Sequence, residues 1–202
     1  MTKQTINTIF PTCFTTGSTN REFTKNELDF FDSYQGETKR NYGNSRTINS
    51  YILDELEMQD LKNICLEHLK YYMEKIYKNS NLDVYITQSW LNYSNKNDYH
   101  HKHYHANSFL SGVMYINTND NDVISLHTIN KPSFQIVGTS YDVLNATNWI
   151  LPVKNKDIII FPSNIEHNVP TVNGDKTRIS LAFNTFIKGT LGDSQILTEL
   201  KL

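Results

Sequence analysis

The chain has 202 residues, a mass of 23.5 kDa, a formal net charge of −2 and a pI near 6.4. It is long enough to bury a core as one domain, and it carries no basic field for holding nucleic acid or an acidic membrane. Cys13 and Cys65 are too few for a disulfide framework, the opening Met-Thr-Lys-Gln-Thr-Ile-Asn has no apolar core of signal-peptide length, and no run of about 18 apolar residues exists. A reduced, cytoplasmic protein is therefore expected.

In chain order, Ile6 to Thr12 reads as a short strand ending at Pro11. Thr24-Lys-Asn-Glu27 has the form of a capping box, so a short helix should run through Leu28, Phe30 and Phe31. Residues 33–50 are polar, hold two glycines and show no periodicity, which predicts a long loop and a candidate lid. From about Glu57 to Lys78, Leu61, Cys65, Leu69, Tyr72 and Ile76 fall at spacings of three and four, predicting a helix whose apolar face packs on a sheet.

Beyond residue 82 the pattern becomes β. Val84–Tyr93, Phe109–Asn117, Val123–His127, Phe134–Gly138, Asp157–Phe161 and Thr177–Ile187 are short runs rich in Val, Ile, Phe, Tyr and Thr, separated by Asn, Asp, Gly and Pro. The expected fold is mainly β with buttressing helices, a jelly roll or sandwich whose antiparallel closure hides its edges. One domain is expected over 1–202, with an N-terminal strand and supporting helices in 1–80 and the jelly-roll core in 83–190.

The chemistry concentrates in His101-Lys-His103-Tyr-His105. Alternate residues of an extended segment project to one side, so His103 and His105 can face one metal ion while Tyr104 points away. His101 shares their parity and His100 does not. Glu166-His167 follows the turn after Phe161-Pro162, where a returning strand could bring His167 to the first pair. Asp98, Asp122 and Glu166 stay open as oxygen ligands. Arg178, the only arginine after Arg46, shares its strand face with Ser180 and Ala182, opposite Ile179, Leu181 and Phe183. Two near histidines, one distant histidine and a following arginine read as an iron site with a carboxylate cosubstrate beside it.

These residues resemble the 2-oxoglutarate- and Fe(II)-dependent oxygenases, and most of all the branch found in phages and marine bacteria. Phe10-Pro-Thr-Cys13 is similar to an opening FPTP signature, with Cys13 for the second proline. Ser89-Trp-Leu-Asn92, His103-Tyr-His105 with Ser111-Gly-Val-Met-Tyr115, Phe161-Pro-Ser163 with His167, and Arg178-Ile-Ser180 with Phe183-Asn184 follow in the family's order. The resemblance implies a double-stranded β-helix (cupin-like jelly roll) in which His103, His105 and His167 bind Fe(II). It implies that Arg178 pairs with the C5 carboxylate of 2-oxoglutarate, aided by Ser180 and Tyr115, and that Asn92 and Trp90 line the pocket. The implied reaction consumes O2 and 2-oxoglutarate, releases succinate and CO2, and hydroxylates a substrate without a side-chain acid or base. Two features depart from the pattern: histidine stands where most such sites carry a carboxylate, and Lys156 where a glycine is expected.

The substrate is open: a protein side chain, a nucleotide or a small molecule. Residues 33–50 and 128–148, with Pro132, Tyr141 and then Trp149, are candidate substrate walls. The rival readings are a three-histidine cupin-like metalloenzyme without 2-oxoglutarate and a non-enzymatic jelly-roll structural or binding protein.

Overall fold

The structure is a computed structural model that describes residues 5–129, 133–134 and 136–202. Its strands are β1 (Thr15–Ser18), β2 (Thr38–Arg40), β3 (Ser45–Thr47), β4 (Asp83–Ser94), β5 (His100–His103), β6 (Leu110–Asn117), β7 (Val123–His127), β8 (Asn148–Pro152), β9 (Asp157–Pro162), β10 (His167–Val169), β11 (Arg178–Lys188), β12 (Thr190–Leu191) and β13 (Leu200–Lys201). Two α-helices, α1 (Lys25–Ser33) and α2 (Gln59–Tyr72), precede the long strands.

The strands form a seven-stranded sheet in the order β1-β9-β6-β11-β4-β3-β2 and a four-stranded sheet in the order β5-β10-β7-β8, with β12 and β13 as a separate pair. All the paired strands run antiparallel. This is the jelly roll expected from the sequence. The larger sheet is covered on both faces, which is why its strands read as near-continuous apolar runs. Val113, Tyr115, Ile159, Phe161 and Ala182 turn inward to meet Ile124 and Leu126 of the smaller sheet. Their neighbours Met114, Ile158, Ile160, Ile179, Leu181 and Phe183 turn outward to meet Phe31 of α1 and Leu61, Cys65, Leu69 and Tyr72 of α2. At Gly112 the outward layer leaves no room for a side chain, because a Cβ there would lie 2.0 Å from the Phe183 ring.

The Thr24 capping box forms as expected, with Thr24 Oγ1 accepting from the Glu27 N–H and Glu27 accepting from the Thr24 N–H. Four other expectations are corrected. The N-terminal strand lies at Thr15–Ser18 rather than Ile6–Thr12, where Ile6, Ile9 and Phe10 are exposed and pair with nothing. Segment 33–50 is not a free loop: β2 and β3 form a hairpin whose second strand extends the larger sheet beside β4. The α-helix stops at Tyr72 and continues as a π-turn over Met73–Tyr77, ending at Lys78 with φ +55°. The wider turn rotates Ile76 outward while Met73 stays buried. Finally, 134 and 136–138 carry no strand, Gln135 lies outside the described residues, and Phe134, Ile136 and Val137 are exposed; the strand forms later, at β8. Among the described residues no helix is long and apolar enough to cross a membrane.

Candidate metal centre

His103 ends β5 and His167 begins β10, and the two are direct cross-strand partners, so their side chains share one face of the smaller sheet. Their ring centroids are 4.3 Å apart. His105 lies two residues past the end of β5, off the strand, and is pinned by its N–H donating to the Ser163 carbonyl at 3.0 Å. Its ring stacks on His167 at 5.1 Å and 14°, flanked by Trp90 at 5.7 Å, while Tyr104 points to solvent. Ring nitrogens of His103, His105 and His167 all lie within 4.8 Å of one another.

The backbone fixes which nitrogens are free. His103 Nδ1–H donates to the His101 carbonyl at 2.8 Å, and His167 Nδ1–H donates to the Ile165 carbonyl at 3.1 Å. Each therefore turns an Nε2 lone pair toward the centre, the arrangement that backbone carbonyls impose on metal-bound histidines. His105 Nε2 and His167 Nε2 approach to 3.3 Å, a spacing that calls for a proton or a cation between them. Burial, then repulsion from neighbouring imidazoles, lowers His105 to about 4 and holds His167 well below its ordinary value; burial also lowers His103. The three rings are neutral donors near pH 7, as a divalent metal requires. The donor set fits a transition-metal ion.

Neither histidine group in the described residues includes a carboxylate. Asp98 accepts from the Asn95 N–H and from Arg40, and Asp122 accepts from the Asn119 N–H and lies 3.6 Å from Arg178 Nε. Glu166 joins neither group.

Arg178 is 3 % exposed, so it is no surface salt bridge. Its guanidinium lies 5.2 Å from the Tyr115 ring centroid, and its Nε has no hydrogen-bond partner. The Tyr115 hydroxyl and Ser94 Oγ are likewise buried and unpartnered. Burial pushes Tyr115 up to about 12, so its hydroxyl keeps its proton and remains a donor. The register groups these atoms: Arg178 pairs with Ser94, and Ser180 with both Asn92 and Tyr115. A buried guanidinium beside unsatisfied hydroxyls fits an anionic group. One cavity of about 30 Å³ joins the three histidines to Asn92, Tyr115 and Arg178, and Trp90 and Ser180 also line it.

The sequence reading did not single out Ser94, and Asp122, which it left open as an oxygen ligand, lies outside both histidine groups and 3.6 Å from Arg178 Nε. The signal for Ser94 was present: it continues the period-two set of Trp90 and Asn92 on β4. Of the candidate walls, Pro132 lies outside the described residues and Tyr141 is exposed. Trp149 lines a second cavity of about 300 Å³ with Phe14, Leu126, Val143 and Ile165.

Fold and site together define a jelly-roll protein in which three converging histidines could hold a metal ion. Residues 88–184, which contain all three histidines and Arg178, match the model of the family described as "Putative 2OG-Fe(II) oxygenase". That match spans 97 of the 202 residues, and over this part the chain is similar to the 2-oxoglutarate/Fe(II) oxygenases. No curated protein sequence matches it. Among solved structures it is similar to the α-ketoglutarate-dependent epimerase SnoN from nogalamycin biosynthesis (10 % identity, TM-score 0.62, 87 % of this chain and 78 % of that one). It also resembles HygX from Streptomyces hygroscopicus, solved with nickel, 2-oxoglutarate and hygromycin B (12 % identity, TM-score 0.56, 86 % and 82 %). A Pseudomonas putida prolyl-4-hydroxylase aligns with 12 % identity and a TM-score of 0.56, over 88 % and 94 %. At these identities the likeness shows the fold.

Proposed function

We propose that this chain is an Fe(II)- and 2-oxoglutarate-dependent oxygenase that hydroxylates an unidentified substrate and releases succinate and CO2. The observation that carries this reading is the convergence of three neutral histidine donors and a buried arginine on one cavity. The family match and neighbours solved with iron, or with nickel and 2-oxoglutarate, support it.

His103, His105 and His167 would hold Fe(II) through ring nitrogens. Three neutral imidazoles bring no negative charge, so the centre favours a dianionic cosubstrate. Arg178 would receive the distal carboxylate, with Tyr115 and Ser94 donating hydroxyl hydrogen bonds and Ser180 and Asn92 alongside. Asp122 would steady the guanidinium from behind. Trp90 and Phe161 close the histidine side against water, Trp90 over His105 and Phe161 against the edge of His167. When bound, metal and cosubstrate supply the oxidising chemistry; the protein orients them and keeps the site dry. The cavity lined by Phe14, Val143 and Trp149 offers an apolar wall for substrate.

Turnover tests the reading: succinate should form only with Fe(II), O2 and 2-oxoglutarate together. Arg178→Ala should weaken 2-oxoglutarate by about thirty-fold or more, the loss expected when one side of a buried charge pair is truncated, while leaving the metal bound. Unchanged cosubstrate affinity in that variant contradicts the role given to Arg178. The all-histidine donor set also suits a cupin-like metalloenzyme without 2-oxoglutarate, and absence of binding heat on titrating 2-oxoglutarate into metal-loaded protein would favour that alternative.

A further inference from the structure

His100, His101 and His103 form a second group whose ring nitrogens lie within 4.8 Å of one another, and it shares only His103 with the first. Simple alternation would put His100 on the opposite face from His103. Opposite β10, however, His103 pairs with His167 and His100 with Val169, so three steps along β5 match two along β10. The extra residue is a bulge, which reverses the parity of the strand beyond it. His100 consequently stacks on His103 at 4.4 Å and 29°, and His101 lies 4.9 Å from His103.

These donors have few other commitments. His101 Nδ1 is buried without a hydrogen-bond partner. His100 Nε2 meets the Asn41 amide at 3.3 Å, a side chain that can present either its NH2 or its oxygen to suit the tautomer. All three rings are half-buried, whereas His167 in the inner group is buried.

The geometry points to an outer position for a divalent transition metal at His100, His101 and His103, mutually exclusive with the inner position at His103, His105 and His167. Exclusivity follows from His103. Its Nδ1–H is given to the His101 carbonyl, so one lone pair remains, and one lone pair serves one cation. A cation arriving from solvent meets the more accessible outer group first. It then moves inward as His100 and His101 are exchanged for His105 and His167, with His103 holding it throughout. This inference rests on metal binding at the inner group and is independent of 2-oxoglutarate.

The test is anaerobic titration of the full-length metal-free protein with Co(II), counting bound ion by equilibrium dialysis and following the visible spectrum. Wild type should take one equivalent. His167→Ala and, separately, His105→Ala should still bind one equivalent, about tenfold or more weakly and with a changed spectrum, and adding His101→Ala to either should abolish it. His101→Ala alone should reach the wild-type stoichiometry and affinity but load more slowly on rapid mixing, a readout that needs no change at the buried inner residues. Two equivalents in wild type would refute exclusivity. Loss of all cobalt from both folded inner-site variants, or wild-type loading by His101→Ala, would refute the outer position. No cobalt in wild type would instead refute the metal centre itself.

Discussion

His103 gives one nitrogen to a backbone carbonyl, and its ring is surrounded by four other imidazoles. Such crowding is tolerable only while the rings are neutral, and this sets a pH dependence. Burial, reinforced by neighbouring imidazoles, holds His100 down to about 3 and His105 down to about 4, against an ordinary value of 6.5. Below 6.5 the unfolded chain takes up protons that the fold refuses. The metal-free protein should therefore be fully stable above that pH and lose stability as pH falls from about 6.5 toward 4, which denaturant unfolding at a series of pH values would show. A flat profile across that window would contradict neutral, buried histidines. Lys156 gives a second prediction. It stands where the family pattern expects glycine and adopts φ +76°, with its N–H donating to the Tyr115 carbonyl and its own carbonyl accepting from Thr19. Left-handed backbone costs a non-glycine residue about 1–2 kcal/mol. Lys156→Gly should leave stability equal or raised by up to about 1 kcal/mol, while the β-branched Lys156→Val should lower it by about 1–2 kcal/mol in equilibrium unfolding.

At the scale of elements, the long strands and the five-residue β7 were legible, whereas β1, β2, β3 and β8 were not. β4, β6, β9 and β11 carry enough apolar residues on both faces to announce themselves, and alternation along β11 correctly put Arg178, Ser180 and Ala182 inside. β2 and β3 escaped notice because they owe their pairing to the edge of β4 rather than to an apolar pattern of their own. The run from Phe134 to Gly138 has strand-like composition, yet Phe134, Ile136 and Val137 find no sheet to cover them. The histidine cluster was legible as a site but its parity was not, since a one-residue bulge has no signature in side-chain type. The closest contact between elements yields a test. Gly112→Ala on β6 would drive a methyl into the Phe183 ring of β11, costing about 1–3 kcal/mol. Adding Phe183→Leu should recover part of that loss; equal stability of wild type and Gly112→Ala would mean that the two strands are not so tightly apposed.

For the molecule as a whole, the division of labour is between sheets. The larger one, stiffened by helices on its outer face, carries Arg178, Tyr115, Ser94 and Asn92, while the smaller one and the turn after β5 carry the histidines. A bound metal would join β5, β10 and the turn after β5 in the folded state only, so a ligating ion at a hundred times its dissociation constant should raise stability by about 2.7 kcal/mol, lost again on adding chelator. The central claim, that metal and 2-oxoglutarate meet in one cavity, is tested most directly by titrating 2-oxoglutarate anaerobically into the Fe(II)-loaded protein and recording the charge-transfer absorption of a 2-oxo acid chelated to iron. The band should grow to one equivalent in wild type, require far more 2-oxoglutarate in Arg178→Ala, and be absent from His167→Ala. Iron-loaded wild type that shows no band at saturating 2-oxoglutarate would contradict the account.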